Sequence, residues 1–180
     1  MNSKHIALLV GALGASLWLV SCRPGKVKPS QATVAHNMPM GQEEKIADIE
    51  LTDIHRDRVS LCQQISRHRY TVIDFWASWC GPCRREAPAY INIYNDYKDR
   101  GLGFIGISLD DDYDKWQAGI AALELPWPQY SELRGWDESL ARLYGVSSIP
   151  YTMVTDSTGT IVARGLYSDE LHNTISQLMD

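Results

Sequence analysis

An apolar strand pattern from Tyr70 to Trp76 runs through Ala77-Ser78-Trp79 straight into Cys80-Gly81-Pro82-Cys83, where a helical pattern begins. No other stretch constrains the chain as tightly. Two cysteines separated by two residues at a helix start can close a small disulfide ring. The unpaired N–H groups of that helix end favour a thiolate on the first sulfur. Cys80 is therefore expected to be the attacking sulfur. Cys83 is expected to be the resolving thiol, because thiol–disulfide exchange needs a second sulfur within reach of the mixed intermediate. The rival use of such a pair is half of a zinc site, which requires a second Cys or His pair at ligand spacing. His36, His55, His68 and His172 each stand alone, and no metal or other cofactor is expected.

A chain of 180 residues has room for one domain with a substantial core. Its net charge of −5, with the basic residues scattered, argues against nucleic acid as a partner. The chain has four cysteines, so Cys22 and Cys62 stand outside the close pair. Lys4 precedes an apolar run from Ile6 to Val20, short for a bilayer span and of the length of a signal-peptide core. Its end, Leu19-Val20-Ser21-Cys22, is similar to a bacterial lipobox. The expected organisation is a signal peptide over 1–21, a lipidated Cys22, a Pro- and Gly-bearing tether over 22–44 and a folded domain over 45–180. An exported protein held at the periplasmic side of a bacterial membrane follows. Such a tether spans on the order of 25 Å as a random coil.

Within the domain, the strand patterns at 45–51 and 59–61 suggest an N-terminal hairpin. Residues 70–76 read as a buried central strand, and 82–97 as a helix that Pro88 should kink. A strand over 102–109 and a helix over 112–123 follow. An irregular Pro-flanked connection then passes Trp127 before a helix from Asp137 that Gly145 ends. Strands over 151–155 and 160–164 flank Asp156-Ser157-Thr158-Gly159 as a hairpin, and a helix over 168–178 closes the chain. This order of elements gives an α/β fold, a three-layer α/β/α sandwich on a mixed central sheet.

The run from Asp74 through Phe75-Trp76-Ala77-Ser78-Trp79 to Cys80-Gly81-Pro82-Cys83 resembles the active-site segment of the thioredoxin superfamily. Trp79-Cys80-Gly81-Pro82-Cys83-Arg84-Arg85-Glu86-Ala87-Pro88 and the stretch from Leu140 to Pro150 are similar to its TlpA/ResA/DsbE-like branch of extracytoplasmic thiol–disulfide oxidoreductases. The likeness covers residues 45–180 and implies a thioredoxin-like fold with an N-terminal hairpin and a helical insertion. It also implies a membrane thiol-relay electron donor of the DsbD or CcdA type, protein thiols and disulfides as substrates, and a monomer. Gly81-Pro82 is the dipeptide of thioredoxin, whose potential of about −270 mV makes it a reductant. Apocytochrome c, whose haem-binding thiols must be reduced, is a substrate the branch suggests.

Asp74 lies mid-strand where both sheet faces should be covered, so burial should raise its pKa. The resemblance makes it the proton acceptor for the resolving thiol, although most of the branch carries an apolar residue or Asn at this position. Glu86 is one helical step beyond Cys83, and acids there tune the thiols in ResA-like members. An acid early in a helix also needs no more than the helix dipole to explain it. Only about 5–6% of X–Pro bonds in folded proteins are cis, yet the resemblance implies a cis Pro150 beside the dithiol. The Ile149 backbone would then be open to an extended substrate in strand-addition fashion. With Trp79, Gly81 and Pro82 these form the expected substrate contacts. Tyr151 stands where the family usually has Thr. Asp110, Asp111 and Asp112 read as a helix cap, and Cys62 as a buried inert thiol. The Thr-x-x-Cys pocket of peroxiredoxins is absent around Cys80. A lipoprotein that binds peptide or copper without turnover remains the alternative.

Overall fold

The computed structural model describes residues 44–180. The expected signal peptide, Cys22 and the expected tether up to residue 43 lie outside the described residues.

Tyr70–Trp76 forms the central strand of the main sheet, called β3 after two short N-terminal strands. Its Val72, Ile73 and Phe75 are fully buried, and Asp74 sits among them. The next strand, β4 (Leu102–Ser108), is buried at every position. Successive side chains of a strand point to opposite faces, so burial at every position means that both faces are covered. The order is β5-β4-β3-β6-β7, with β5 (Gln129–Tyr130) at the edge beside β4. β3 runs parallel to β4 and antiparallel to β6 (Tyr151–Asp156), which places Asp74 between Gly106 and Thr152. β7 (Ile161–Arg164) pairs antiparallel with β6 through the hairpin, and Gly159 takes a φ of 80° in its loop. Mixed sheet and thioredoxin-like layering agree with the sequence pattern.

The helix α2 (Gly81–Tyr97) buries Cys83, Ala87, Tyr90, Ile93 and Tyr97, a stripe spaced three and four residues apart. It packs against α5 (Ser168–Met179), which buries Leu171, Ile175 and Met179. The helix α3 (Tyr113–Leu123) starts at Asp112, whose carboxylate accepts the Lys115 N–H at 2.9 Å. A short α4 (Ser139–Leu143) is followed by Gly145 at φ 65°. Among the described residues no helix is long and apolar enough to cross a membrane.

Three elements differ from the sequence expectation. The first strand, β1, covers only Glu50–Thr52, and Lys45 contributes a single bridge to Thr160. Between them the Asp48 carboxylate accepts from Ser60 Oγ at 2.7 Å and the Cys62 N–H at 3.1 Å, which takes this segment out of the strand. The second strand, β2 (Arg58–Ser60), stops before Leu61 because Ser60 caps a helix, α1 (Leu61–Ile65), accepting the Gln63 N–H at 3.1 Å. Ser60-Leu61-Cys62-Gln63 is a capping-box sequence, so this helix start was readable. The connection around Trp127 also contains β5 (Gln129–Tyr130), parallel to β4. Proline is tolerated at a sheet edge, and Pro128 still supplies a carbonyl to the Gly106 N–H at 2.9 Å.

Gly119 of α3 locks that helix against the segment before Cys80, since a Cβ there would lie 2.7 Å from Ser78 Cβ and 3.3 Å from Trp76 Cη2. Overpacking of this kind costs ~1–3 kcal/mol. Gly119→Ala should lower the stability measured by chemical denaturation by that amount. An unchanged midpoint would mean that α3 is free to move away.

Candidate active site

Cys80 is the N-cap residue of α2. Its Sγ accepts the Cys83 N–H at 3.1 Å, and its carbonyl accepts the Arg84 N–H at 3.2 Å. The first sulfur thus takes a donor that a Ser or Asp side chain would take at another helix start. Cys80 and Cys83 are joined in a disulfide with Cα atoms 5.3 Å apart. They are 4% and 5% exposed, so a partner must reach down to the first sulfur. Arg84 closes the first turn, where the helix dipole disfavours cations, and Arg85 follows it. Their positive charge adds to the helix N-terminus in favouring a thiolate.

The loop before Cys80 is held from both sides. Asp110, 1% exposed at the end of β4, accepts the Ser78 N–H at 2.9 Å, the Ser78 hydroxyl at 2.6 Å and the Ser108 hydroxyl at 2.7 Å. The Arg84 guanidinium donates twice to the Ser78 carbonyl, from Nε at 3.0 Å and Nη2 at 2.8 Å. Ser78 and Arg84 were not singled out from the sequence, and Asp110, read there as part of a helix cap, instead binds Ser78 and Ser108. The one available signal for Asp110 was an acid directly ending an apolar strand. Of the three adjacent acids only Asp112 caps α3, whereas Asp111 is exposed.

Asp74 is 4% exposed, and burial pushes its carboxyl up to about 7. Its Oδ1 has no hydrogen-bond partner among the described residues. Glu86 is half-buried and accepts the Ser168 N–H at 2.9 Å, which ties α2 to the start of α5. The Ile149–Pro150 peptide is cis, and the Ile149 carbonyl oxygen lies 3.8 Å from Cys80 Sγ. Gly81 and Pro82 are exposed. Trp79 is 53% exposed and meets Trp136, 46% exposed, at a ring separation of 6.3 Å. Trp136 lies in the segment between β5 and α4 and extends the aromatic surface beside the dithiol. Trp76 by contrast is buried, its Nε1–H donating to Gln129 at 2.8 Å. Among the described residues no group of three or more His, Cys, Asp or Glu is placed to hold a metal ion.

Two outcomes follow from this geometry. Asp110→Ala strands three donors and should cost ~1–3 kcal/mol or more in chemical denaturation, since each unmet buried partner carries a penalty of that order. Wild-type stability in the variant would contradict the clamp. A raised Asp74 pKa means that the folded state holds its proton longer than the unfolded chain. The stability linked to this group is complete below the ordinary carboxylate range and is lost as pH rises toward about 7. Asp74→Asn should therefore gain stability relative to wild type on going from pH 5 to pH 8, by about 1.4 kcal/mol for each pH unit crossed within that window. A difference independent of pH would show that the carboxyl is not perturbed.

Residues 43–164 match the AhpC/TSA family model. The thiol:disulfide interchange protein HelX of Rhodobacter capsulatus is 25% identical over 164 residues, covering 88% of this chain and 82% of that protein. The thiol–disulfide oxidoreductase ResA of Bacillus thuringiensis is 22% identical over 157 residues, covering 87% and 81%. Among solved structures, a thiol–disulfide oxidoreductase from Bacteroides fragilis superposes with a TM-score of 0.70 at 26% identity, over 75% of this chain and 99% of that one. A thiol:disulfide interchange protein from a Bacteroides species gives 0.67 at 28% identity, over 78% and 91%.

Proposed function

The chain belongs to the AhpC/TSA family of thioredoxin-fold proteins, and from that membership and its dithiol we propose that it is a membrane-tethered thiol–disulfide oxidoreductase working as a reductant of extracytoplasmic proteins. The observation that carries this reading is the Cys80 sulfur at the N-cap of α2, bonded to Cys83 and flanked by a cis-proline loop. In the reductive direction the Cys80 thiolate attacks a partner disulfide, and the Cys83 thiolate then attacks Cys80 Sγ and releases the partner as a thiol. Asp74 accepts the Cys83 proton. Its carboxyl near neutrality suits that task, since a base works best close to the operating pH. Trp79, Gly81 and Pro82 with Ile149 and Pro150 form the face that receives the partner backbone.

The reductant assignment rests on the Gly81-Pro82 dipeptide. The tether rests on the apolar run from Ile6 to Val20 and on Cys22, which would carry the lipid. Two electrons must be returned after each turnover, and a membrane thiol-relay protein of the DsbD or CcdA type is the donor class proposed. The names of the relatives, a thiol:disulfide interchange protein and a thiol–disulfide oxidoreductase, support thiols and disulfides as the substrate class, and the resemblance to the TlpA/ResA/DsbE-like branch makes apocytochrome c one candidate.

With a dithiol donor present, the reduced protein should cleave insulin disulfides, and Cys80→Ala should abolish this. Cys83→Ala should accumulate partners as mixed disulfides on Cys80 in cells, visible as adducts on non-reducing gels that dithiothreitol removes. Absence of both turnover and adducts, with tight copper retention by the wild type, would favour a binding module instead.

A further inference from the structure

Trp136 is half-exposed, and the segment around it is built to hold it there. Glu138, 2% exposed, accepts the Glu132 N–H at 2.9 Å, and the Glu132 carboxylate accepts the Ser139 N–H at 3.1 Å and the Ser139 hydroxyl at 2.9 Å. The two acids close residues 132–139 into a loop, with Trp136 on a short 3-10 turn (Gly135–Asp137) inside it. The Ser131 hydroxyl on the Ser108 carbonyl, and the Gly135 N–H on the Asp110 carbonyl at 3.4 Å, pin this loop to the end of β4 that also holds Ser78. The shape is costly to keep. Burial raises the Glu138 carboxyl to about 7, and Leu133 takes a φ of 56°, in the left-handed region that residues with a Cβ disfavour. An indole half in water offsets less of that cost than a buried one would. Its ring instead meets Trp79, the residue directly before Cys80, at 6.3 Å between centroids and 54° between planes.

We propose that Trp136 is a specificity-determining residue of the dithiol, forming with Trp79 a two-ring platform that takes an apolar or aromatic side chain two positions from the partner's cysteine. The proposal deepens the exchange reading given above and rests on it, since it needs a partner backbone lying extended across Cys80. In an extended segment, alternate side chains share a face and stand ~7 Å apart. A partner cysteine aimed at Cys80 therefore turns the residues two positions away toward the same surface, at a spacing close to the 6.3 Å between the two rings. The chemistry of the occupant follows from the charges around the platform. Arg134 is paired with Glu132 at 3.2 Å and Asp137 with Arg142 at 3.0 Å, so the residues flanking Trp136 offer no unpaired charge to a charged side chain. A lysine can also lie on an indole face. Arg84 and Arg85, both exposed just after Cys83, repel a cation in the segment that reaches the dithiol. An apolar ring or chain meets no such opposition, and it gains by leaving water between two indoles.

The test is a rapid-mixing reaction of reduced full-length protein with three short disulfide-bonded peptides, alike except for Phe, Ser or Lys at the positions two removed from the cysteine. The second-order rate constant for the Phe peptide should exceed that for the Ser peptide about tenfold, with the Lys peptide no faster than Ser. Trp136→Ser should cut the Phe-to-Ser ratio to about twofold, and Trp136→Phe should keep most of it. All three peptides meet the same Cys80, so a merely structural role for Trp136 would slow them alike and leave the ratio in place. Equal rates with Phe and Ser in the wild type, a ratio untouched by Trp136→Ser, or a preference for Lys would each overturn the proposal while leaving the exchange reading intact. A wild type whose titratable thiols react with none of the peptides would remove that reading and the proposal together. Should Trp136→Ser fail to fold, the mixed disulfide of Cys83→Ala with each peptide decides. The indole N–H resonance of Trp136 should shift with the Phe peptide more than with the Ser peptide, and an equal response to both overturns the assignment.

Discussion

The chemistry of this molecule depends on a sulfur atom standing where a helix start needs an acceptor. Cys80 Sγ meets the Cys83 N–H at the first turn of α2, and two arginines follow Cys83 directly in sequence. A thiolate there gains from the backbone donors and from the local positive charge, while the disulfide cannot use the charge at all. The arrangement therefore raises the thiolate fraction of Cys80, and with it the reactivity of the reduced protein. The helix itself is held by its buried stripe against the sheet and α5, so the position of the sulfur derives from the core.

A reactive sulfur also has to be held still, and Ser78 accounts for that. Its N–H and hydroxyl are bound by Asp110 and its carbonyl by Arg84, so a carboxylate from β4 and a guanidinium from α2 grip one residue two positions before Cys80. Charged partners make these hydrogen bonds stronger than ordinary ones. The same end of β4 connects to the segment carrying Trp136, since the Ser131 hydroxyl donates to the Ser108 carbonyl at 2.9 Å and the Leu133 N–H donates to Ser131 Oγ at 3.0 Å. Aromatic contact between Trp79 and Trp136 joins the two again on the surface. Loop, strand end and insertion thus form one support for the dithiol face.

Much of this was legible in the sequence where the signal is local. The apolar run of β3, the cysteine spacing at the start of α2 and the Gly159 hairpin each carry their own periodicity or turn chemistry. Legibility failed where a long-range contact overrides a short pattern. Lys45 to Ile49 alternates well enough to suggest a strand, but the Asp48 carboxylate is drawn to Ser60 and Cys62 and ends it. β5 is two residues long beside a proline and exists because β4 offers it an edge. At the site, the cysteines were evident and Asp74 was suspected from the cost of burying an acid. The Asp110 clamp and Trp136 were not, since each acts through residues far away in sequence.

The most direct test is the titration of Cys80 itself, by following the pH dependence of its alkylation in the fully reduced protein with mass-spectrometric detection. Reactivity governed by a helix start and two arginines predicts a midpoint at least about one unit below the 8.5 of an ordinary cysteine. A midpoint at or above that value would show that the helix start does not stabilise the thiolate, and would contradict the account.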